Sequence, residues 1–187
     1  MRALARAAGA SLSSTNYHFG TKEALVEAVL RQRAEPLNAI RLERLSAAEH
    51  EGGAVAIDVI LDAFVRPLFD MRAMVSTNGT EPGWLAARLF SDPAPVIVRI
   101  RSELFGEVDA RFLAALSLTL PNVERREIEI AYQLTNGLLI HFASGRILLG
   151  EVEMGAGEDT SARVLEALLD YAGAGLHRLA RESRQVS

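Results

Sequence analysis

Cysteine is absent from this 187-residue chain, which excludes disulfides, thiolate metal sites and cysteine nucleophiles. Aromatic residues are scarce at 6%, whereas 49% of the chain is hydrophobic and much of that is Ala and Leu beside abundant Arg and Glu. That composition favours helices. No apolar run reaches the roughly 18 residues needed to span a bilayer. The opening stretch carries Arg2 and Arg6 where a secretory segment would be apolar, so the expectation is a soluble cytoplasmic protein without a membrane partner. The four histidines, His18, His50, His141 and His177, are far apart, and no His-Glu-x-x-His pair, phosphate loop or Gly-x-Ser-x-Gly elbow occurs. No enzyme activity, metal or cofactor is therefore expected.

The net charge of −4 hides an asymmetry. Residues 1–34 hold Arg2, Arg6, Lys22, Arg31 and Arg33 against Glu23 and Glu27, a balance of +3 that leaves −7 on the rest. A basic end on an acidic body suits a protein that touches DNA locally, although a solvated face explains the charge alone equally well. The order of residues in the basic end decides between them. Leu4, Ala5 and Ala8 read as a short helix, Gly9 supplies a tight turn, and a second helix starts near Ser11. Its exposed positions, Ser13, Ser14, Thr15, Asn16, Tyr17 and His18, offer short or planar hydrogen-bonding groups to a major groove, with Leu12 and Phe19 as buried anchors. Gly20 ends that helix, Thr21 caps the next, and Lys22 sits at its N-terminus, where dipole and ammonium act together on a phosphate. This is the working half of a helix-turn-helix.

The pattern Ala7-Ala8-Gly9-x-Ser11-x-x-x-x-Asn16-Tyr17-His18-Phe19-Gly20-Thr21-Lys22-Glu23-Ala24-Leu25 resembles the DNA-binding signature of the TetR family of one-component repressors over residues 2–30. Asn16, with Glu35-Pro36-Leu37-Asn38 and Arg41-Leu42-x-x-Leu45 further on, is similar to a subgroup containing fatty-acid-responsive repressors of β-oxidation. The resemblance implies a further helix, about two dozen residues, ahead of Arg2, so that the N-terminally truncated stretch 1–34 is a partial helix-turn-helix domain. Residues 35–187 then form a larger helical regulatory and dimerisation domain.

Beyond the motif, a helix from Thr21 carries Leu25, Ala28 and Val29 on one stripe, breaks or kinks near Glu35 ahead of Pro36, and resumes through Ile40 and Leu45. Residues 54–76 read as a helix with Ile57, Ile60, Leu61, Phe64, Leu68 and Met71 inward. A short helix through Trp84 and Phe90 follows, then one capped by Asp92 with Pro93 in its first position, striped by Val96, Ile100, Leu104, Val108, Phe112 and Leu116. Residues 123–149 form a helix through Ile128, Ala131, Leu134, Thr135, Leu138 and Phe142; after a Gly-rich acidic loop, residues 159–183 form the last. The last two present apolar surfaces wide enough for more than one neighbour.

The expected fold is all-α. The resemblance implies a homodimer through 123–149 and 159–183, and an effector pocket among the central helices with Phe64, Met71, Trp84, Phe105 and Phe112 as candidate lining. His141 is a further candidate, better explained as a structural histidine. The partners implied are a palindromic double-stranded DNA operator and a small hydrophobic effector such as a fatty acid or acyl-CoA. The competing reading is a dimeric helical small-molecule-binding protein with impaired DNA binding.

Overall fold

A computed structural model describes residues 22–50, 52, 54–76, 94–143, 148–149, 152–153 and 158–185. These form helices α1 (Lys22–His50), α2 (Ile57–Ser76), α3 (Pro95–Thr119), α4 (Arg125–Ala143) and α5 (Glu158–Gln185), with a two-residue antiparallel pairing of β1 (Leu148–Leu149) and β2 (Val152–Glu153) before α5. The expected all-α fold is the observed one.

α2 is the central helix. Ile57, Ile60, Leu61, Ala63, Phe64, Val65 and Phe69 are all buried, too many for a single stripe, because α1, α3 and α5 each pack on it. Phe64 lies 5.0 Å from Phe112 of α3 and 4.9 Å from Tyr132 of α4, ring centre to ring centre, in tilted contacts. Phe69 stacks on Phe142 of α4 at 4.0 Å. Aromatics are few, and five of them knot three helices together. A smaller second core joins Val29, Leu30 and Ala34 of α1 to Ile97, Ile100 and Leu104 of α3.

The structure corrects several expected boundaries. α1 is continuous through Pro36. Proline removes the N–H that would bond the carbonyl of residue 32, but Gln32 and Pro36 are both exposed, so water can take that carbonyl while Ala34 and Leu37 pack on either side of the defect. α2 begins at Ile57, three residues later than residue 54. α3 starts at Pro95, which takes the first helical position assigned above to Pro93, with Ala94 and not Asp92 preceding the helix. α4 ends at Ala143, and Leu148 and Leu149 are extended, paired with Glu153 and Val152. On α4, Leu134 and Leu138 lie outward, and Tyr132 and Leu139 take the buried positions. The short helix through Trp84 and Phe90 lies outside the described residues.

Polar groups tie the ends. The Thr119 hydroxyl donates to the Val55 carbonyl at 2.8 Å, fixing the end of α3 to the entry of α2. Gly173 lets α5 approach α2, since a Cβ there would stand 3.2 Å from the Asp58 carboxylate. If the aromatic knot is the stability centre, Phe112→Ala should cost about 3–5 kcal/mol, read as a lowered urea midpoint with an unchanged slope. A loss under about 1 kcal/mol would place the centre elsewhere.

Candidate functional site: a polar node in the helical core

Three polar side chains are buried in the described core: Asn38, Arg41 and Thr135. Two of them belong to the inward stripe of α1, which runs Ala34, Leu37, Asn38, Arg41, Leu45 at helical spacing. Thr135 satisfies itself by donating to the Ala131 carbonyl one turn back. Asn38 donates from Nδ2 to the Leu104 carbonyl at 2.6 Å, but its Oδ1 is buried and finds no donor. The only other such atom among the described residues is Arg33 Nε.

Arg41 is 4% exposed. Its Nε donates to the Phe64 carbonyl at 2.8 Å, and its guanidinium carbon lies 4.1 Å from the centre of the Phe64 ring, a cation–π contact worth about 2 kcal/mol when desolvated. Among the described residues its Nη groups donate to nothing, and no carboxylate comes within ion-pair distance. Burial lowers its pKa to about 10, against the opposing pull of Tyr132 and Asp109. Tyr132 donates its hydroxyl to Asp109 Oδ1 at 2.8 Å. Burial, followed by the Asp109 charge and that hydrogen bond, pushes the Tyr132 phenol up. Burial likewise raises the Asp109 carboxyl, opposed by the Tyr132 hydrogen bond and by Arg41 and Arg101. Residues of α1, α2, α3 and α4 thus meet around the Arg41 guanidinium.

The candidate lining residues are only partly brought together. Phe64 and Phe112 are adjacent beside Arg41. Phe105 packs half-buried on the smaller core, Met71 is half-buried near the end of α2, and His141 is exposed on α4. Trp84 lies outside the described residues, as do Ser13, Ser14, Thr15, Asn16, Tyr17 and His18; Lys22 opens α1, and its side chain is not among those described. Asn38 and Arg41 were missed as site residues. Their signal was present, since both interrupt an otherwise apolar inward stripe.

Two other clusters are exposed. Arg31 bridges Glu27 at 2.9 Å and Glu103 at 2.8 Å, and Arg99 joins Glu103 at 2.8 Å and Glu27 at 3.6 Å, closing a ring between α1 and α3. The Arg99 hydrogen bond holds Glu103 below the usual carboxylate range. An open groove of about 410 Å³ between α2 and α5 is lined by Asp58, Asp62, Asp170, His177, Leu61 and Leu169. Its charges are largely satisfied, with His177 on Asp58 at 2.9 Å and Arg66 on Asp62 at 2.7 Å. Among the described residues no three acidic or histidine side chains gather as a metal site, and no helix is long and apolar enough to cross a membrane.

The Asp109 shift has a sign that can be measured. A folded-state pKa above the unfolded one means that the folded protein binds the proton more tightly, so stability rises as pH falls through the folded pKa. Against Asp109→Asn, which keeps an acceptor for Tyr132, the wild type should gain stability in urea unfolding between neutral pH and about pH 4. A constant difference across that range would contradict the desolvated carboxylate.

No curated protein matches the chain. The family described as "Tetracyclin repressor-like, C-terminal domain" matches residues 62–175, from the first turns of α2 through most of α5 and more than half of the chain. The chain therefore belongs to the TetR family, whose members are ligand-responsive transcription regulators.

Proposed function

We propose that this protein is a dimeric repressor that grips a palindromic operator through residues 1–34 and releases it when a small hydrophobic effector, such as a fatty acid or acyl-CoA, enters the helical body formed by residues 35–187. The match of residues 62–175 to a regulator's C-terminal domain carries the reading. The helix-turn-helix pattern in residues 2–30 supports it from the other end of the chain. Ser13, Ser14, Thr15 and Asn16 read base edges, and Tyr17, His18 and Lys22 hold phosphates.

Dimerisation through α4 and α5 is supported by apolar surface without cover. Ile130, Leu134 and Leu138 recur every four residues along α4 and are 52%, 65% and 37% exposed, and Tyr171 on α5 is 71% exposed. Such a stripe is a cost in water and a gain against its own copy. A two-fold pair sets two recognition helices about one turn of DNA apart, 34–36 Å, or somewhat further.

The test is a mobility shift with the DNA flanking the gene, alongside sedimentation. The protein should sediment as a dimer and retard the DNA. Lys22→Ala should weaken binding to all sequences and reduce the salt slope by about one unit, and Leu134→Glu should give a monomer that does not shift the probe. A dimer that binds no flanking DNA at low salt would favour a ligand-binding protein with impaired DNA binding; a wild-type monomer would overturn both readings.

A further inference from the structure

We propose that a hinge crosses α1 and α3 at Pro36 and Gly106 and divides the helical body in two, with residues 22–35 and 95–104 turning as one small unit against the rest. The hinge itself goes beyond the repressor reading, and its use in reading DNA rests on that reading. The two hydrophobic cores draw the line. The smaller core, Val29, Leu30 and Ala34 against Ile97, Ile100 and Leu104, stops short of the larger one, which takes its buried residues of α1 from Leu45 and those of α3 from Val108. Each helix therefore leaves one core before it enters the other.

Polar contacts respect the same line. The ring of Glu27, Arg31, Arg99 and Glu103 lies wholly on the small side. Glu49 pairs with Arg111 at 2.7 Å and Arg44 with Asp70 at 2.9 Å wholly on the other. Among the described residues no ion pair crosses.

The weak points of both helices fall on this line. Pro36 deprives α1 of the bond to the Gln32 carbonyl, and prolines are where helices bend. Gly106 is the one glycine of α3, and a Cβ added there would meet nothing within 4 Å. Close packing does not call for it, and in a helix interior it costs stability against alanine. Asn38 sets the two at one level, since its Nδ2 reaches across to the Leu104 carbonyl at 2.6 Å while its Oδ1 is buried without a donor. The tie across the line is thus made by half an amide. Hinges are a few positions, often small residues, that absorb a change of backbone angle. Lys22, the first residue of α1, directly follows the helix-turn-helix pattern, so a turn of the small unit re-aims that pattern without opening the main core.

The test uses pairs of spin labels in one protomer of the full chain, which has no cysteine of its own, diluted with unlabelled protein. Gln32, Ala47, Ser102 and Ala114 are exposed and accept cysteine. The pairs 32–102 and 47–114, each within one part, should give narrow separations. The pairs 32–114 and 102–47, which cross the line, should give distributions at least about twice as broad. Pro36→Ala with Gly106→Ala, two changes that strengthen helix, should narrow the crossing pairs to the width of the others. Crossing pairs as narrow as the rest in the wild type, or a breadth that the two alanines leave unchanged, would overturn the hinge. In the mobility shift, one base pair inserted between the half-sites should weaken the stiffened protein at least about fivefold more than the wild type, because a fixed arm cannot follow the altered spacing; equal losses would overturn the part of the hinge in reading DNA. Failure to bind DNA at all would sink the repressor reading alone, since the distances need neither DNA nor effector.

Discussion

One helix is held from two sides, and the rest of the structure depends on that constraint. α1 is locked to α3 along its first half by Val29, Leu30 and Ala34 against Ile97, Ile100 and Leu104, with the Arg31–Glu27–Arg99–Glu103 ring above them. Its second half enters the main core through Leu45 and is tied to α2 by Arg41 and Phe64. The apolar contacts supply the stability. The exposed ion pairs are worth little each and weaken in salt, so their role is to fix register between two helices whose apolar faces would tolerate sliding. These contacts fix α1 to both α3 and α2 along its length.

Much of this arrangement was legible in the sequence. The buried set of α3, namely Ile97, Ile100, Leu104, Val108, Phe112 and Leu116, follows from its repeat, because a stripe of that length has only one way to bury itself. Boundaries were less legible where local chemistry was overruled. Pro36 argued for a break, and the helix passes through it because the lost bond falls on the solvent side and packing holds both flanks. The apolar pair Leu148-Leu149 continued the period of α4, yet that helix ends at Ala143 and the pair is extended, paired with Glu153 and Val152. Leu134 and Leu138 belong to an apolar surface too wide for one neighbour, and they lie outward. Hydrophobicity alone does not separate a core from an interface.

The polar node was the least legible part. Arg41 and Asn38 could be read as residues of the resembled family's pattern but not as neighbours of Phe64, Asp109 and Tyr132, which lie from 23 to 91 positions away from Arg41. The burial of a charged side chain is a tertiary fact. So is the unmet acceptor on Asn38, one turn before Arg41. Proteins that bury polar groups for stability alone tend to satisfy them completely.

On the proposed function, α1 joins the effector-sensing body to the DNA-reading end. The absence of cysteine makes the direct test clean, since Gln32→Cys on the exposed side of that helix places one spin label on each protomer. Pulsed electron–electron distances across the dimer should show one well-defined separation in the free protein. It should shift by about 2 Å or more when a bound effector releases the DNA. A separation that stays fixed while the ligand saturates the body and the DNA departs would contradict α1 as the connecting element.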